Sequence, residues 1–214
     1  EPPYHALALA ACDALGSGFS LGNTGAGLGA LAGRFKGGLG SASSVWNGYT
    51  IGALVAVNAM GSPIVPGTGD LWASSYALGD ELPSPARPLS SGGSLTEATK
   101  FELMSETVGP GTNTTIAVVA TDAVITKSEA RRMAIMAHDG LARGARPMHT
   151  PFDGDTIFAL ATGRRPLAEP REKTLSHLGS IAADTLTRAI GRALWEAETI
   201  GGLTSYRDYL GTRR

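Results

Sequence analysis

The sequence predicts an α/β fold in which helices cover a sheet, and two observations carry this prediction. After residue 113 the pattern alternates: "TIAVVATDAVI" and "DTIFALAT" are apolar and β-branched like strands, whereas the segments that follow each have apolar residues near helical spacing. Upstream, "YTIGALVAVNAMGSPI", residues 49 to 64, is a continuous apolar run typical of a central strand. Strands that alternate with helices favour a sheet covered by helices.

The first 70 residues contain a helix pattern followed by a glycine-rich tract. Residues 4 to 16 have the alanine and leucine content of a buried helix, in which the single cysteine, Cys12, is expected to serve core packing. Glycine accounts for 29 of 214 residues, about twice the average usage of roughly 7%, and its concentration here predicts close backbone packing and tight turns. The tract contains "GNTGAG", but no Gly-Lys-Ser/Thr sequence ends it and no strand pattern precedes it, which disfavours nucleotide binding.

The remaining elements follow in order along the chain. Residues 79 to 95, with three prolines, predict a surface loop, and residues 96 to 106 predict a short helix. "TKSEARRMAIMAHDGLARG" predicts an amphipathic helix that begins with a Thr126-x-x-Glu129 capping box. Residues 164 to 173 predict a solvated loop, and "HLGSIAADTLTRAIGRALWEAE" predicts a long helix.

Composition excludes several classes of partner. The net charge is −1, with 18 basic and 19 acidic residues, so neither nucleic acid nor an anionic membrane surface is an expected partner. No stretch reaches the roughly 18 to 20 consecutive apolar residues of a membrane span. One cysteine allows no disulfide within the chain, which predicts a reducing, cytoplasmic location. No second histidine stands at ligand spacing from His149, so no metal site is expected.

The junction "GPGTNTTIAVV" is the first candidate for chemistry. A glycine- and proline-containing loop runs directly into a strand, with Asn113, Thr114 and Thr115 at the boundary. One interpretation is a simple strand entry. The other is a reactive bond between Asn113 and Thr114. If this bond is cut, Thr114 becomes an N-terminal residue with a hydroxyl nucleophile and, in its own α-amino group, a base with an ordinary pKa near 7.7 to 8.0.

Two further features supply candidate partners for this threonine. Asn58 lies within the apolar run at 49 to 64, and it is either a satisfied asparagine at a strand end or a donor directed into a site. Asp153 and Asp155 flank Gly154 immediately before a strand. Two carboxylates on such a turn are placed to hydrogen-bond a threonine hydroxyl or ammonium, although an acidic turn that caps a strand is equally ordinary.

The chain resembles a known family in four segments spread over nearly its whole length. These are "GNTGAGLGALAGRFKGGLGSAS", "YTIGALVAVNAMGSP", "NTTIAVVATDA" and "PMHTPFDGDTIFALATG". They are similar to the self-processing aminopeptidases and amidases: the L-aminopeptidase/D-amino-acid esterases, the β-peptidyl aminopeptidases and the nylon-oligomer hydrolases. The resemblance implies a four-layer α/β/β/α sandwich, of the type shared with the ornithine acetyltransferases.

The resemblance also implies roles for particular residues. The chain is expected to be cut between Asn113 and Thr114, which makes Thr114 the N-terminal nucleophile. Asn58 corresponds to the family's oxyanion-hole asparagine. Asp153 and Asp155 fall on the pair that contacts the nucleophile, in a form similar to the nylon-hydrolase branch, and Lys36 matches that branch's active-site lysine, although its spacing from the asparagine differs.

The implied organisation is one domain made of two fragments. Residues 1–113 would be the C-terminal part of the α fragment, whose upstream portion lies outside the 214 residues, and residues 114–214 the β fragment. The implied activity is hydrolysis of small peptides, amino-acid amides or nylon-type oligomers through an acyl-enzyme, without a cofactor, in a homo-oligomer of αβ units. Two alternatives remain at this point: acyl transfer of the ornithine acetyltransferase type, and an inactive family member that acts as a subunit.

Overall fold

A computed structural model describes residues 3–83, 99–100 and 113–212 of the protein. The helices are α1 to α4, at Tyr4–Asp13, Lys127–Gly144, Arg171–Glu196 and Tyr206–Thr212. The strands are β1 to β6, at Leu31–Ala32, Phe35–Lys36, Gly38–Trp46, Tyr49–Val57, Ile116–Val124 and Thr156–Pro166. Short 3-10 helices lie at Gly25–Gly27 and Trp72–Tyr76. Most of the loop predicted at 79 to 95, of the helix predicted at 96 to 106, and the start of the junction at 109 to 112 lie outside the described residues.

A four-stranded mixed sheet organises the described chain, in the order β3-β4-β5-β6. Strands β3, β4 and β5 pair antiparallel, whereas β5 and β6 are parallel and are connected through α2. A parallel pair needs such a crossover, and a helix is its usual form. The α/β class is therefore confirmed. Helix α2 forms as predicted, with both hydrogen bonds of its capping box, and the strand predicted after residue 113 is β5.

One face of the sheet and the helices α2 and α3 enclose the core. Alternate residues of β4 and β5, among them Ile51, Val55 and Val119, point inward and are at most 1% exposed. Leu186 and Ile190 of α3 meet them and are equally buried. Helix α3 begins six residues earlier than predicted, at Arg171, so the segment predicted as a solvated loop at 164 to 173 is divided between the end of β6 and the start of α3.

The glycine-rich tract contains a strand that sequence patterns did not predict. Strand β3 crosses directly beneath α3, and a β-carbon at Gly40 would lie 2.0 Å from the Ala189 carbonyl oxygen. Only glycine permits that approach, so the predicted close backbone packing is confirmed. The same glycines hid the strand, because glycine is unfavourable in strands and lacks the alternating side chains by which a strand is recognised.

Two predictions about the first half of the chain were wrong. Helix α1 forms, but none of its residues is buried, and Cys12 is exposed rather than packed in a core. Its larger aliphatic side chains, Leu7 and Leu9, are more than half exposed within the described residues, so alanine and leucine content correctly predicted the helix but not its burial. The predicted central strand forms as β4 and ends at Val57, before the Gly-Ser-Pro turn at 61 to 63, so Asn58 lies at its end as one of the two interpretations of that residue expected.

The second face of the sheet is also apolar. Leu54, Val118 and Phe158 lie side by side in register across β4, β5 and β6, and Phe158 is 58% exposed within the described residues. Strands that are apolar on both faces are typical of a sheet covered on both sides. The described residues supply one helical layer and one sheet layer of the four expected.

Candidate active site

The sheet topology brings three predicted site segments to one edge. Since β4 runs antiparallel to β5, and β5 parallel to β6, the end of β4 lies beside the beginnings of β5 and β6. Asn58 follows β4, Thr114 precedes β5, and the Asp153-Gly154-Asp155 turn precedes β6. A parallel bridge pairs Asn113 with Asp153 and extends the β5–β6 pairing past the strand ends.

The peptide bonds on both sides of Thr114 are held by the turn before β6. The Gly154 N–H donates to the Asn113 carbonyl oxygen at 2.8 Å. On the other side, the Thr115 N–H donates to Asp155 Oδ1 at 3.0 Å, and the Thr115 carbonyl accepts from the Thr156 N–H at 3.0 Å. The carbonyl that precedes Thr114 is therefore already polarised by a backbone donor.

The Thr114 hydroxyl lies against the bare α-carbon of Gly154. A β-carbon added to Gly154 would lie 2.7 Å from Thr114 Oγ1, inside van der Waals contact. No hydrogen bond joins the Thr114 hydroxyl to any described residue, and Thr114 is only partly buried. Within the described part of the chain, the hydroxyl therefore packs against Gly154 without a hydrogen-bond partner.

Asp155 is fixed by the loop that precedes it. Its side chain is 1% exposed, and its Oδ2 accepts from the His149 backbone N–H at 3.2 Å and lies 2.9 Å from His149 Nδ1. His149 adopts φ 59°, a left-handed conformation that is uncommon for histidine. His138 from α2 stands behind it, with Nδ1 3.4 Å from His149 Nε2; burial, with a smaller contribution from His149, lowers the pKa of His138.

Asp153 connects two loops instead of contacting the nucleophile. Its Oδ1 accepts from the Met60 N–H at 3.1 Å, and its Oδ2 accepts from the backbone N–H and the hydroxyl of Thr150 at 3.0 and 2.7 Å. The expectation that both carboxylates hydrogen-bond the threonine hydroxyl or amine is not met in the uncut chain: Asp155 binds the next backbone N–H, and Asp153 secures the segment that follows Asn58. Both oxygens of each carboxylate already serve other donors.

Asn58 has its orientation set by two donors. Its Oδ1 accepts from the Leu31 N–H and from the Lys100 ammonium, each at 3.1 Å. Two donors directed at one side-chain atom identify it as the oxygen. The Nδ2 group makes no hydrogen bond with a described residue, so it is available as a donor to a ligand.

Lys100 is a site residue that the sequence did not reveal. Its Nζ bridges the Asn58 and Asn113 side-chain oxygens, at 3.1 and 2.6 Å, and the residue is 8% exposed. Burial lowers the pKa of Lys100 to about 8, opposed by the attraction of the Asp153 carboxylate. The sequence marks it by no motif: Lys100 is one of four lysines in the chain.

Lys36 lies one layer behind the site. It is fully buried, and its Nζ donates to the carbonyls of Gly27, Ala30 and Gly37 at 2.6, 3.1 and 2.7 Å. Burial lowers its pKa. The structure does not bring Lys36 to the Asn113–Thr114 bond, since three carbonyls already take its three protons. Lys36 is connected to the site indirectly, by the peptide group between Ala30 and Leu31. The carbonyl of this group accepts from Lys36, and its N–H donates to Asn58.

The described ranges contain neither a cluster of metal ligands nor a membrane-spanning helix. Among the residues that the structure describes, no three His, Cys, Asp or Glu side chains are grouped so that they would hold a metal ion. Within the same ranges, no helix is both long enough and apolar enough to cross a bilayer.

Comparison with known proteins gives a family and a set of relatives. The model of peptidase family S58 matches residues 3–207. An uncharacterized aminopeptidase of Mycobacterium tuberculosis is 40% identical over 211 residues, which cover 92% of this chain and 59% of that protein. A 6-aminohexanoate-oligomer endohydrolase of Paenarthrobacter ureafaciens is 32% identical over 99 residues, or 45% of this chain and 28% of that protein. The chain thus spans somewhat more than half the length of the mycobacterial relative.

Solved structures show the same fold. The PH0078 protein of Pyrococcus horikoshii superimposes with a TM-score of 0.61 at 26% identity, over 92% of this chain and 51% of that one. The L-aminopeptidase D-Ala-esterase/amidase of Ochrobactrum anthropi, described as a new variant among the Ntn hydrolase fold, gives a TM-score of 0.56 at 24% identity, over 86% and 47% of the two chains. The predicted fold type is therefore confirmed.

Proposed function

Because this chain belongs to peptidase family S58, and is therefore of a hydrolase family, we propose that it is an autoprocessing amide hydrolase with Thr114 as its N-terminal nucleophile. The cut would fall between Asn113 and Thr114 and divide the chain into fragments 1–113 and 114–214 of one domain. One observation carries the proposal: the Thr114 hydroxyl lies against Gly154 and bonds to no described residue, while the peptide groups on both sides of Thr114 are held in place.

Self-cleavage begins at the polarised carbonyl. Thr114 Oγ1 attacks the carbonyl carbon of Asn113, and negative charge develops on the oxygen that the Gly154 N–H already contacts at 2.8 Å. The C–N bond breaks, the hydroxyl proton passes to the Thr114 nitrogen, and an ester joins the two residues. Water then opens the ester to an Asn113 carboxylate and a free Thr114 hydroxyl and amine.

Turnover uses the group that self-cleavage releases. The Thr114 hydroxyl attacks the substrate carbonyl while its own α-amine accepts the proton and passes it to the leaving amine. The Nδ2 of Asn58 donates to the developing oxyanion, and loss of one such donor commonly costs about 2.7 to 4 kcal/mol of barrier. Asp155 holds the Thr115 N–H and so keeps the nucleophile at the strand end. Water completes the cycle by hydrolysing the acyl-enzyme.

The names of two relatives support a substrate class. The relative from Mycobacterium tuberculosis is named an aminopeptidase, and the relative from Paenarthrobacter ureafaciens is named an endohydrolase of 6-aminohexanoate oligomers. Both names describe hydrolysis of an amide bond, in a peptide for the first protein and in a 6-aminohexanoate oligomer for the second. We therefore propose small peptides, amino-acid amides and ω-amino-acid oligomers as substrates, with homo-oligomers of αβ units as the working assembly.

A pair of adjacent threonines provides the test. Thr114→Ala is expected to remain a single chain and to hydrolyse no amino-acid p-nitroanilide. The matched control is Thr115→Val, which removes a fully buried hydroxyl that has no hydrogen-bond partner among the residues the structure describes; this variant is expected to be cut and active like the wild type. Cleavage at the same bond in Thr114→Ala, or hydrolysis by that uncut variant, would show that the nucleophile lies elsewhere.

A further inference from the structure

Lys100 bridges the two asparagines that flank the reaction. Its ammonium donates to the side chain of Asn113, the residue that precedes the cut bond, and to the side chain of Asn58. Its own backbone N–H donates to the Met60 carbonyl at 3.0 Å, which anchors the lysine to the segment that follows β4. The lysine therefore connects the scissile residue to the opposite wall of the site.

The chemistry of this bridge suits positioning. Hydrogen bonds from a charged donor are shorter and stronger than neutral ones, and the 2.6 Å contact with Asn113 is of that kind. Asn113 is 4% exposed, so its side chain cannot exchange this donor freely for water. Asn113 is thus held at two points: Lys100 holds its side chain, and the Gly154 N–H holds its backbone carbonyl at 2.8 Å.

We propose that Lys100 is a positioning residue for self-cleavage: by holding Asn113 against Asn58, it keeps the Asn113 carbonyl between the Thr114 hydroxyl and the Gly154 N–H. This inference rests on the proposed cut at Asn113–Thr114 and adds to it a residue outside the nucleophile and its immediate neighbours. Lys100 forms no bond with the reacting atoms, and its contribution acts through Asn113.

A double-mutant cycle tests this role. The complete gene product is made by cell-free synthesis as wild type, Lys100→Met, Asn113→Ala and the double variant, and the fragment that begins at Thr114 is followed over time. Loss of a charge-assisted hydrogen bond predicts cleavage about ten to a hundred times slower in Lys100→Met. Because the lysine acts through Asn113, the double variant should be within about threefold of the slower single variant. Lys127→Met, at an exposed lysine, should cleave like the wild type.

Three results would overturn the inference. If Lys100→Met is cut at the wild-type rate, or if the two single effects multiply, Lys100 does not act through Asn113. Thermal unfolding separates positioning from a folding defect. The Thr114→Ala variant, which stays uncut, is compared with the same variant that also carries Lys100→Met. Equal Tm values support positioning, and a large drop in Tm on adding Lys100→Met contradicts it. A wild-type chain that is never cut refutes the proposed function itself, which is distinct from a cut that ignores Lys100.

Discussion

Gly154→Ala adds one methyl group directly against the Thr114 hydroxyl. The new β-carbon would lie 2.7 Å from Thr114 Oγ1, whereas ordinary contact begins near 3.4 Å, so the hydroxyl must move by about 0.7 Å. The other two nearest atoms belong to the same threonine, at 3.6 and 3.7 Å, and are in ordinary contact. Gly154 does not have a positive φ, so alanine adopts its backbone without strain. The perturbation is therefore confined to the nucleophile.

The expected effect is kinetic. Since misplacement of a reacting group by about 1 Å can cost on the order of a hundredfold in rate, a shift of about 0.7 Å predicts self-cleavage slowed at least tenfold. The assay is a time course of cleavage by mass spectrometry, with thermal unfolding of the uncut chain as a check that the fold survives. Gly52→Ala, where a β-carbon would meet nothing within 4 Å, is the control. Cleavage of Gly154→Ala at the wild-type rate would refute the placement of the hydroxyl.

Two further predictions concern stability. Lys36→Met removes a buried donor from three carbonyls and should lower the free energy of unfolding by about 2 to 4 kcal/mol, measured by urea denaturation; an unchanged midpoint would contradict this structural role. At Glu81, burial raises the carboxyl pKa but the hydrogen bonds and charge of Arg188 outweigh it, so the pKa lies below its ordinary value. A depressed acid pKa contributes stability above about pH 4.3 that is lost as pH falls through the folded-state value. Arg188→Met should remove that part of the acid dependence, and an unaltered pH profile of Tm would count against the pair.

The later half of the fold was predictable because its local signals agree. Helix α2 carries a capping box at Thr126 and an amphipathic pattern, and β5 is a β-branched run; each is also what the tertiary structure requires. Strand β3 was not predictable, because Gly40 is selected for contact with α3 and gives no strand signal of its own. Burial of α1 was predicted wrongly, since composition reports helix propensity and not the presence of a neighbouring layer.

The site divides in a similar way. Thr114, Asn58 and Asp155 were identified from family resemblance, and the sheet explains why they meet: one strand end and two strand starts share an edge. The bridging role of Lys100 was beyond sequence reasoning, because it depends on a contact between residues 42 apart in the chain. For Asp153 and Lys36, the sequence indicated residues near the site. The structure shows that Asp153 accepts hydrogen bonds from Met60 and Thr150, and that Lys36 donates to three backbone carbonyls.

The most direct test of the central claim is the intact mass and N-terminal sequence of the purified protein. We expect two fragments in equal amounts, with the second beginning Thr-Thr-Ile-Ala-Val at Thr114. A single uncut chain that hydrolyses amino-acid p-nitroanilides, or a cut at any other bond, would contradict it.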